Sequence, residues 1–306
     1  MARSIKVLAP AKLNLALSVG PPAAELGGFH PIASWMMTVD LFDELTLTRL
    51  EPGVLSRYAI VWHKEARRRS EINWSLTKDL AVRAHQALEK HMRTAGRMGG
   101  LPVQMKLEKR IPVGGGMGGG SSDAAAMLRA LNDLYDLNLS REELATIGAT
   151  LGSDVPFLVH GGSAIVEGLG ERLTHLPFES SALMHAVVAF PDAQCPTPRI
   201  YGLFDEIGGG SLRPDTVRSL AGSRPRLAPD APFNDLAEAA MTAAPALREA
   251  IESLSQLAER PAHVTGSGSA IFVLCDDQMH AIALADAAEQ KLKLPAVAVR
   301  GVALDG

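Results

Sequence analysis

On either side of a Pro- and Gly-rich break from Gly20 to Gly28, the first fifty residues carry the pattern of strands. Ile5 to Leu17 is expected to be a strand broken at Pro10, with Leu13, Leu15 and Leu17 on one face and Lys12, Asn14 and Ala16 on the other. Trp35 to Val39, Phe42 to Leu50 and Tyr58 to Trp62 are read as three further strands. From Thr77 the spacing changes: Leu80, Ala81, Ala84, Ala87, Leu88 and Met92 mark one face of a helix that stops at Gly96. Val103 to Leu107 returns to a strand and leads through Lys109, Arg110 and Pro112 into Gly114–Gly120, where six of seven residues are glycine.

Beyond that loop Ala124, Met127, Leu128, Leu131, Leu134 and Tyr135 define a second helix, and Ser140 with Glu143 forms a capping box for a third. Gly152-Ser153-Asp154-Val155-Pro156-Phe157 follows, then Gly161 to Gly170, read as strand edges and turns. Ala182 to Phe190 is expected to be a buried strand opening a second domain, and Asp192 to Tyr201 a loop. Gly208 to Pro232 is aperiodic and is expected to be a long surface excursion. Asn234 or Asp235 is expected to cap a helix, a second runs from Ala246 to Leu257, and His263 leads into Thr265-Gly266-Ser267-Gly268-Ser269. Ile271 to Cys275, Asp277 to Leu292 and Ala296 to Leu304 read strand, helix, strand, giving the order of a ferredoxin-like antiparallel layer. The expected domains are 1–180 and 181–306, and the chain contains no internal repeat.

Composition narrows the function. With 47% hydrophobic residues in 306, the chain can bury two cores of ordinary size. A net charge of −4 argues against nucleic acid or an anionic membrane as partner, since either needs a broad basic face. Small soluble substrates are expected, with the protein a monomer or weak homodimer. Two cysteines, Cys195 and Cys275, make neither a disulfide framework nor a metal-ligand pair, and Lys12 and Asn14 interrupt the apolar run that a signal peptide needs. A cytoplasmic location is expected.

The glycine loop supplies the candidate chemistry. Glycines let the backbone lie against a ligand, and the N-terminus of the following helix presents unpaired N–H groups, so the loop suits phosphate. Gly114-x-Gly116-x-x-Gly119 fits a dinucleotide fingerprint, but at this glycine density the match is nearly automatic, and no acid follows at the end of a second strand. A Walker loop fails because serine, not lysine, follows Gly120. A flexible serine-capped turn is the plain alternative. Taken alone, Lys12 could be a solvated strand lysine, His30 a surface hydrogen-bonder and Asp154 a cap or turn residue.

Four stretches in one order resemble the GHMP small-molecule kinases: Pro10-Ala11-Lys12-Leu13-Asn14, Pro112 to Ala126, Gly152 to Pro156 and Thr265 to Ser269. The resemblance covers about Lys6 to Leu304. It implies an α+β two-domain fold: an N-terminal α/β domain like domain 2 of ribosomal protein S5, which binds ATP, and a C-terminal ferredoxin-like domain. It further implies transfer of the γ-phosphoryl of Mg-ATP to the 2-hydroxyl of a cytidyl diphosphate sugar alcohol in non-mevalonate isoprenoid (terpenoid) synthesis. By matching position, Asp154 is expected as the catalytic acid's counterpart and Lys12 as its paired lysine. Lys109 and the loop Pro112, Val113, Gly114, Gly115, Gly116, Met117, Gly118, Gly119, Gly120, Ser121 and Ser122 are expected to hold the nucleotide. Asn14, Phe29, His30, Thr197 and Tyr201 are expected to line the acceptor pocket, His30 and Tyr201 holding cytosine. Mg²⁺ is expected to bridge ATP oxygens and a loop serine, with no dedicated carboxylate cage.

The chain departs from the family pattern at Gly27-Gly28-Phe29-His30, where a tyrosine usually precedes the histidine, at Met117 in place of leucine, and at Asp79 in place of asparagine. The segments His63 to Ser70 and Gly208 to Pro232 match nothing with an assigned role. Other alcohols such as homoserine or mevalonate, a non-catalytic nucleotide sensor and, most remotely, a dehydrogenase are the competing readings.

Overall fold

A computed structural model of the chain describes residues 3–97, 100–178, 184–223 and 227–304. The chain folds into two compact units, one of residues 1–11, 41–113 and 118–161, the other of 12–40, 114–117 and 162–306. Two long strands, β1 (Ser4–Val19) and β2 (Ile32–Arg49), each contribute to both. The expected domain boundary at 180 lies outside the described residues.

In the first unit β3 (Arg57–Trp62) runs parallel to β4 (Val103–Lys109), and β4 runs antiparallel to β2, from Glu44 opposite Glu108 to Arg49 opposite Val103. The Arg49 N–H donates to the Arg3 carbonyl at 2.9 Å, so β2 also meets the start of β1. The α-helices of this unit among the described residues are α1 (Leu80–Thr94), α2 (Gly119–Leu134), α3 (Arg141–Ala149) and α4 (Val155–His160). α2 packs against the other three. Three of these starts have a local side-chain cause. Asp79 Oδ1 caps α1 by accepting from the N–H groups of Ala81 and Val82, Ser140 and Glu143 make the expected capping box of α3, and Pro156 stands in the first turn of α4.

In the second unit β1 pairs parallel with β8 (Phe233–Asn234), while β2 pairs antiparallel with β5 (Ser163–Gly168), which pairs with β6 (Arg172–Leu176). A separate antiparallel sheet has the order β11-β7-β10-β9, formed by β7 (His185–Ala189), β9 (His263–Val264), β10 (Ile271–Cys275) and β11 (Ala296–Arg300). By chain position that is fourth, first, third, second, the ferredoxin-like arrangement expected. Its helices are α5 (Thr197–Glu206), α6 (Pro214–Gly222), α7 (Ala237–Ala243), α8 (Pro245–Ala258) and α9 (Gln278–Leu292). Leu247, Leu254, Leu284 and Ala288 join Val187, Ile271 and Val273 in one buried cluster.

Several expectations are corrected. β1 runs unbroken through Pro10, and the two strands expected between Trp35 and Leu50 are one, β2. Lys12 and Asn14 are buried, so that face of β1 is covered rather than solvated. The loop expected from Asp192 to Tyr201 ends in α5, with Pro198 in its first turn, and the excursion from Gly208 contains α6, which buries Val217 and Ala221. Asp235 does not cap α7: its carboxylate accepts from the Val19 N–H and the Ser18 hydroxyl, both at 3.0 Å. The strand expected from Ala182 begins outside the described residues.

Candidate functional site

The glycine loop connects the end of β4 to α2, and its glycines are used conformationally. Gly114, Gly116 and Gly118 have φ of +74°, +73° and +70°, values that a side chain strains to reach. Gly118 is the N-cap of α2 and offers no capping side chain, so the first-turn N–H groups of that helix keep their donor capacity. Ser122 Oγ is fully buried and has no hydrogen-bond partner among the described residues.

In the first unit the stems of the loop are anchored by charge. Lys109 is 3% exposed, and its Nζ donates to Asp43 Oδ2 at 2.6 Å and Asp123 Oδ2 at 2.5 Å. Asp43, fully buried, also accepts through Oδ1 from the Arg110 N–H and, at 2.8 Å, from the Ile111 N–H. Burial opposes a charge on Lys109, but the two carboxylates outweigh it and raise its pKa. Burial also raises Asp123, against the opposing pull of Lys109 and with Asp43 adding to the rise. One ammonium between two carboxylates leaves a net negative charge in a buried place, which is why burial and Asp43 push Asp123 up while Lys109 pulls it down. Next to this group Glu44 pairs with Lys6 and, at 2.7 Å, with Arg110. The Lys6 hydrogen bond is the chief cause that takes Glu44 down to about 2, burial opposing and Arg110 assisting.

Asp154 precedes α4 at its N-cap position, yet its carboxylate does not cap that helix. The cap reading is therefore removed, while the turn reading stands: Asp154 lies in the turn before α4, where the Val155 N–H donates to the Gly152 carbonyl at 3.2 Å. Asp79 behaves oppositely: it caps α1, and its Oδ2 accepts from the Trp74 indole N–H at 3.1 Å.

The other expected residues lie in the second unit. Lys12 Nζ donates to Asn14 Oδ1 at 2.5 Å, Asn14 Nδ2 to Ser34 Oγ at 2.8 Å, and the Ser34 hydroxyl to the Ala16 carbonyl at 2.7 Å. The Asn14 N–H donates to Thr265 Oγ1 at 3.0 Å, joining β1 to the turn 265–269. The glycine loop is held from both sides of this junction: the Ala270 N–H, directly after the turn, donates to the Gly115 carbonyl at 3.1 Å, and the Lys12 N–H of β1 to the Met117 carbonyl at 2.9 Å. Asn234 holds the same turn by donating to the carbonyls of Val264 and Gly266 at 2.9 and 2.8 Å.

His30 and Tyr201 are brought together with ring centroids 5.1 Å apart and planes tilted by 50°. The His30 Nδ1 lies 2.8 Å from the Gly20 carbonyl, which fixes a proton on that nitrogen, and Nε2 lies 3.3 Å from Asp205. Thr197 and Tyr201 fall one turn apart on α5, and Thr197 Oγ1 is 3.0 Å from Ser267 Oγ. Phe29 is 65% exposed, an aromatic face open beside His30 in the chain. Thus Lys12 and Asn14 form one connected group, Thr197 joins it through the turn 265–269, and His30 with Tyr201 forms another. Among the described residues no helix is long and apolar enough to span a membrane, and no cluster of three or more His, Cys, Asp or Glu could hold a metal.

Sequence reasoning assigned no role to Asp43, Asp123 or Ser34, and gave Asn234 only that of a possible helix cap; its Oδ1 accepts from the Leu236 N–H at 2.9 Å, just before α7. Asp43 had a signal: it shares the alternation of Leu41, Leu45 and Leu47, and a carboxylate on an apolar face must be partnered. Lys109 shares the alternation of Val103, Met105 and Leu107 in the same way.

Comparison with known proteins places the chain in a family. The family description "GHMP kinases N terminal domain" matches residues 79–162, and "GHMP kinases C terminal" matches residues 218–294. A 4-diphosphocytidyl-2-C-methyl-D-erythritol kinase of Streptomyces avermitilis is 38% identical, over 93% of this chain and 92% of its own. The kinase of the same name from Paenarthrobacter aurescens is 34% identical, over 93% and 90%. A crystal structure of 4-(cytidine 5'-diphospho)-2C-methyl-D-erythritol kinase superposes with a TM-score of 0.76 at 32% identity, covering 97% of this chain and all of that one. A homoserine kinase from Cytophaga hutchinsonii, 17% identical with a TM-score of 0.61, shares the fold. With both family descriptions matched in order and relatives above 30% identity along nearly its whole length, the chain belongs to the GHMP kinase family.

Proposed function

We propose that this kinase transfers the γ-phosphoryl of ATP to the 2-hydroxyl of 4-diphosphocytidyl-2-C-methyl-D-erythritol, a step of non-mevalonate isoprenoid synthesis. The observation that supports the substrate is the His30 and Tyr201 pair, an imidazole and a phenol ring that give a nucleobase an edge to bond and a face to stack on. Homoserine and mevalonate carry no base that such a pair could hold.

The glycine loop and the first turn of α2 receive the ATP phosphates on backbone N–H groups. Lys109 supports that loop, its ammonium being engaged by Asp43 and Asp123. Asp154 accepts the proton of the 2-hydroxyl as the new O–P bond forms and the bond from the γ-phosphorus to the bridging oxygen breaks, releasing ADP. Lys12 supplies positive charge toward the transferring group, and Asn14 fixes the lysine's direction. Thr197 lines the acceptor side, and Phe29 covers the base. Mg²⁺ fits the residues present: Ser122 offers an oxygen with no partner among the described residues and would hold the ion beside the ATP phosphates. When bound it neutralises charge on the phosphates. The two functional domains are 1–180 for ATP and 181–306, and the enzyme acts in the cytoplasm as a monomer or weak dimer.

A coupled ADP-release assay with Mg-ATP tests the reading directly. ADP is expected with the cytidyl substrate and not with homoserine, mevalonate or no acceptor. Turnover with another acceptor alone would leave the kinase standing and remove the substrate assignment, and ATP binding without turnover on any acceptor would favour a sensor. Tyr201→Ala should raise KM for the cytidyl substrate by the equivalent of about 1–3 kcal/mol while sparing ATP, on the scale of base stacking. Equal weakening of both substrates in the same kinetics would make Tyr201 a packing residue.

A further inference from the structure

The glycine loop has two stems, the end of β4 and the first turn of α2, and a single buried carboxylate touches what fixes each. Asp43, on β2, accepts through Oδ1 from the Arg110 and Ile111 N–H groups, the last stretch of backbone before the loop. Through Oδ2 it takes Lys109 Nζ at 2.6 Å, and the same ammonium reaches Asp123 Oδ2, directly after the first turn of α2, at 2.5 Å. Packing brings the stems together at the same place. A Cβ on Gly119 would stand 2.9 Å from Ile111 Cγ2 and 3.9 Å from Asp43 Oδ2, so the start of α2 rests on the lead-in strand with no room between them.

We propose that Asp43 is a positioning residue for the phosphoryl donor: through Arg110, Ile111 and the Lys109–Asp123 pair it holds the two stems of the glycine loop at one spacing, and so sets the affinity for ATP and not for the acceptor. This inference rests on the reading that the loop binds the ATP phosphates. It follows from two needs that meet at this carboxylate. Arg110 and Ile111 follow the last residue of β4, so their N–H groups have passed the last β2 partner and need a side-chain acceptor. An ammonium that is 3% exposed needs carboxylates to remain charged there. Asp43 meets both needs at once, which makes the ion pair and the backbone bonds one mechanical unit. Charge-assisted bonds of this kind are short and directional, so a shift of the carboxylate would be passed to both stems.

The test is steady-state kinetics of Asp43→Ala and Asp43→Asn with Mg-ATP and the cytidyl substrate, each varied at saturation of the other. The alanine variant loses the acceptor for both N–H groups and the lysine's partner, and its KM for ATP should rise about 10- to 100-fold, with KM for the cytidyl substrate within about twofold of wild type. The asparagine variant keeps an oxygen acceptor for Arg110 and Ile111 and should recover part of the loss. An unchanged KM for ATP, or equal changes in both KM values, would overturn the proposal and leave Asp43 a residue of general stability. Hydrogen exchange on the nucleotide-free wild type reads the same strap without a variant. The Arg110 and Ile111 amides should exchange slowly; exchange as fast as that of Gly114 would overturn the inference even if neither variant folds. Adding ATP separates the two readings. Amides from Gly115 to Ser122 should gain protection; if they gain none, the phosphate-loop reading fails and this inference with it, whereas a gain there beside an unchanged KM in the variants defeats only Asp43.

Discussion

Asp154→Asn should bind ATP as the wild type does and turn over about 10² to 10⁴ times more slowly, the usual worth of general-base catalysis. The substitution keeps the shape of the side chain and removes its capacity to accept a proton, so the effect should fall on kcat. A helix-cap role would give a different result: losing a cap costs about 1 kcal/mol of stability and leaves turnover alone. Asp154 makes no cap bond to α4, so no such cap penalty is expected. Isothermal titration with a non-hydrolysable ATP analogue, beside single-turnover ADP formation, separates binding from chemistry. Normal turnover in a folded variant would remove Asp154 from the mechanism and leave the proton to another base.

The site was legible in the sequence wherever a local pattern stood for a backbone requirement. The glycine run, the capping box at Ser140 and Glu143 and the β7-to-β11 order could each be read because neighbours in sequence act together. Pro10 misled because a proline outside the hydrogen-bonded ladder can remain within a strand, and β1 continues through it. Thr197 and Tyr201 were expected on a loop because of the prolines at 196 and 198, yet proline is well suited to a helix's first turn, and α5 begins there. What the sequence concealed were long-range partners. Ser34, Asn234 and Asp123 gain their functions from β1, from the turn 265–269 and from Lys109, and no local period marks such pairings. Asp43 shows how part of this could have been recovered, since a carboxylate in phase with buried leucines calls for a cation, and Lys109 is in phase with the buried side of the neighbouring strand.

Gly116→Ala and Gly114→Ala should differ sharply, although the two glycines have nearly the same φ, +73° and +74°. Each substitution incurs the left-handed penalty of about 1–2 kcal/mol. At Gly114 nothing lies within 4 Å of the added Cβ, so that penalty is the whole expected loss. At Gly116 the Cβ would stand 2.2 Å from the Thr265 carbonyl oxygen and 3.0 Å from that of Gly268. Both obstacles are backbone, so no side-chain rotation relieves them. The loop segment or the turn 265–269 must move, adding about 1–3 kcal/mol of overpacking cost. The same turn takes the Asn14 N–H on Thr265, and β1 holds the loop through the Lys12 N–H, so a displacement there would reach Lys12. A shift of about 1 Å at a reacting geometry can lower the rate about 10²-fold, and Gly116→Ala should therefore lose activity beyond its loss of stability. Thermal unfolding without nucleotide, followed by kcat/KM at a temperature where both variants are folded, makes the comparison. Equal Tm values for the two variants would mean that the loop does not rest against Thr265 in solution, and that the turn 265–269 does not set where Gly116 lies.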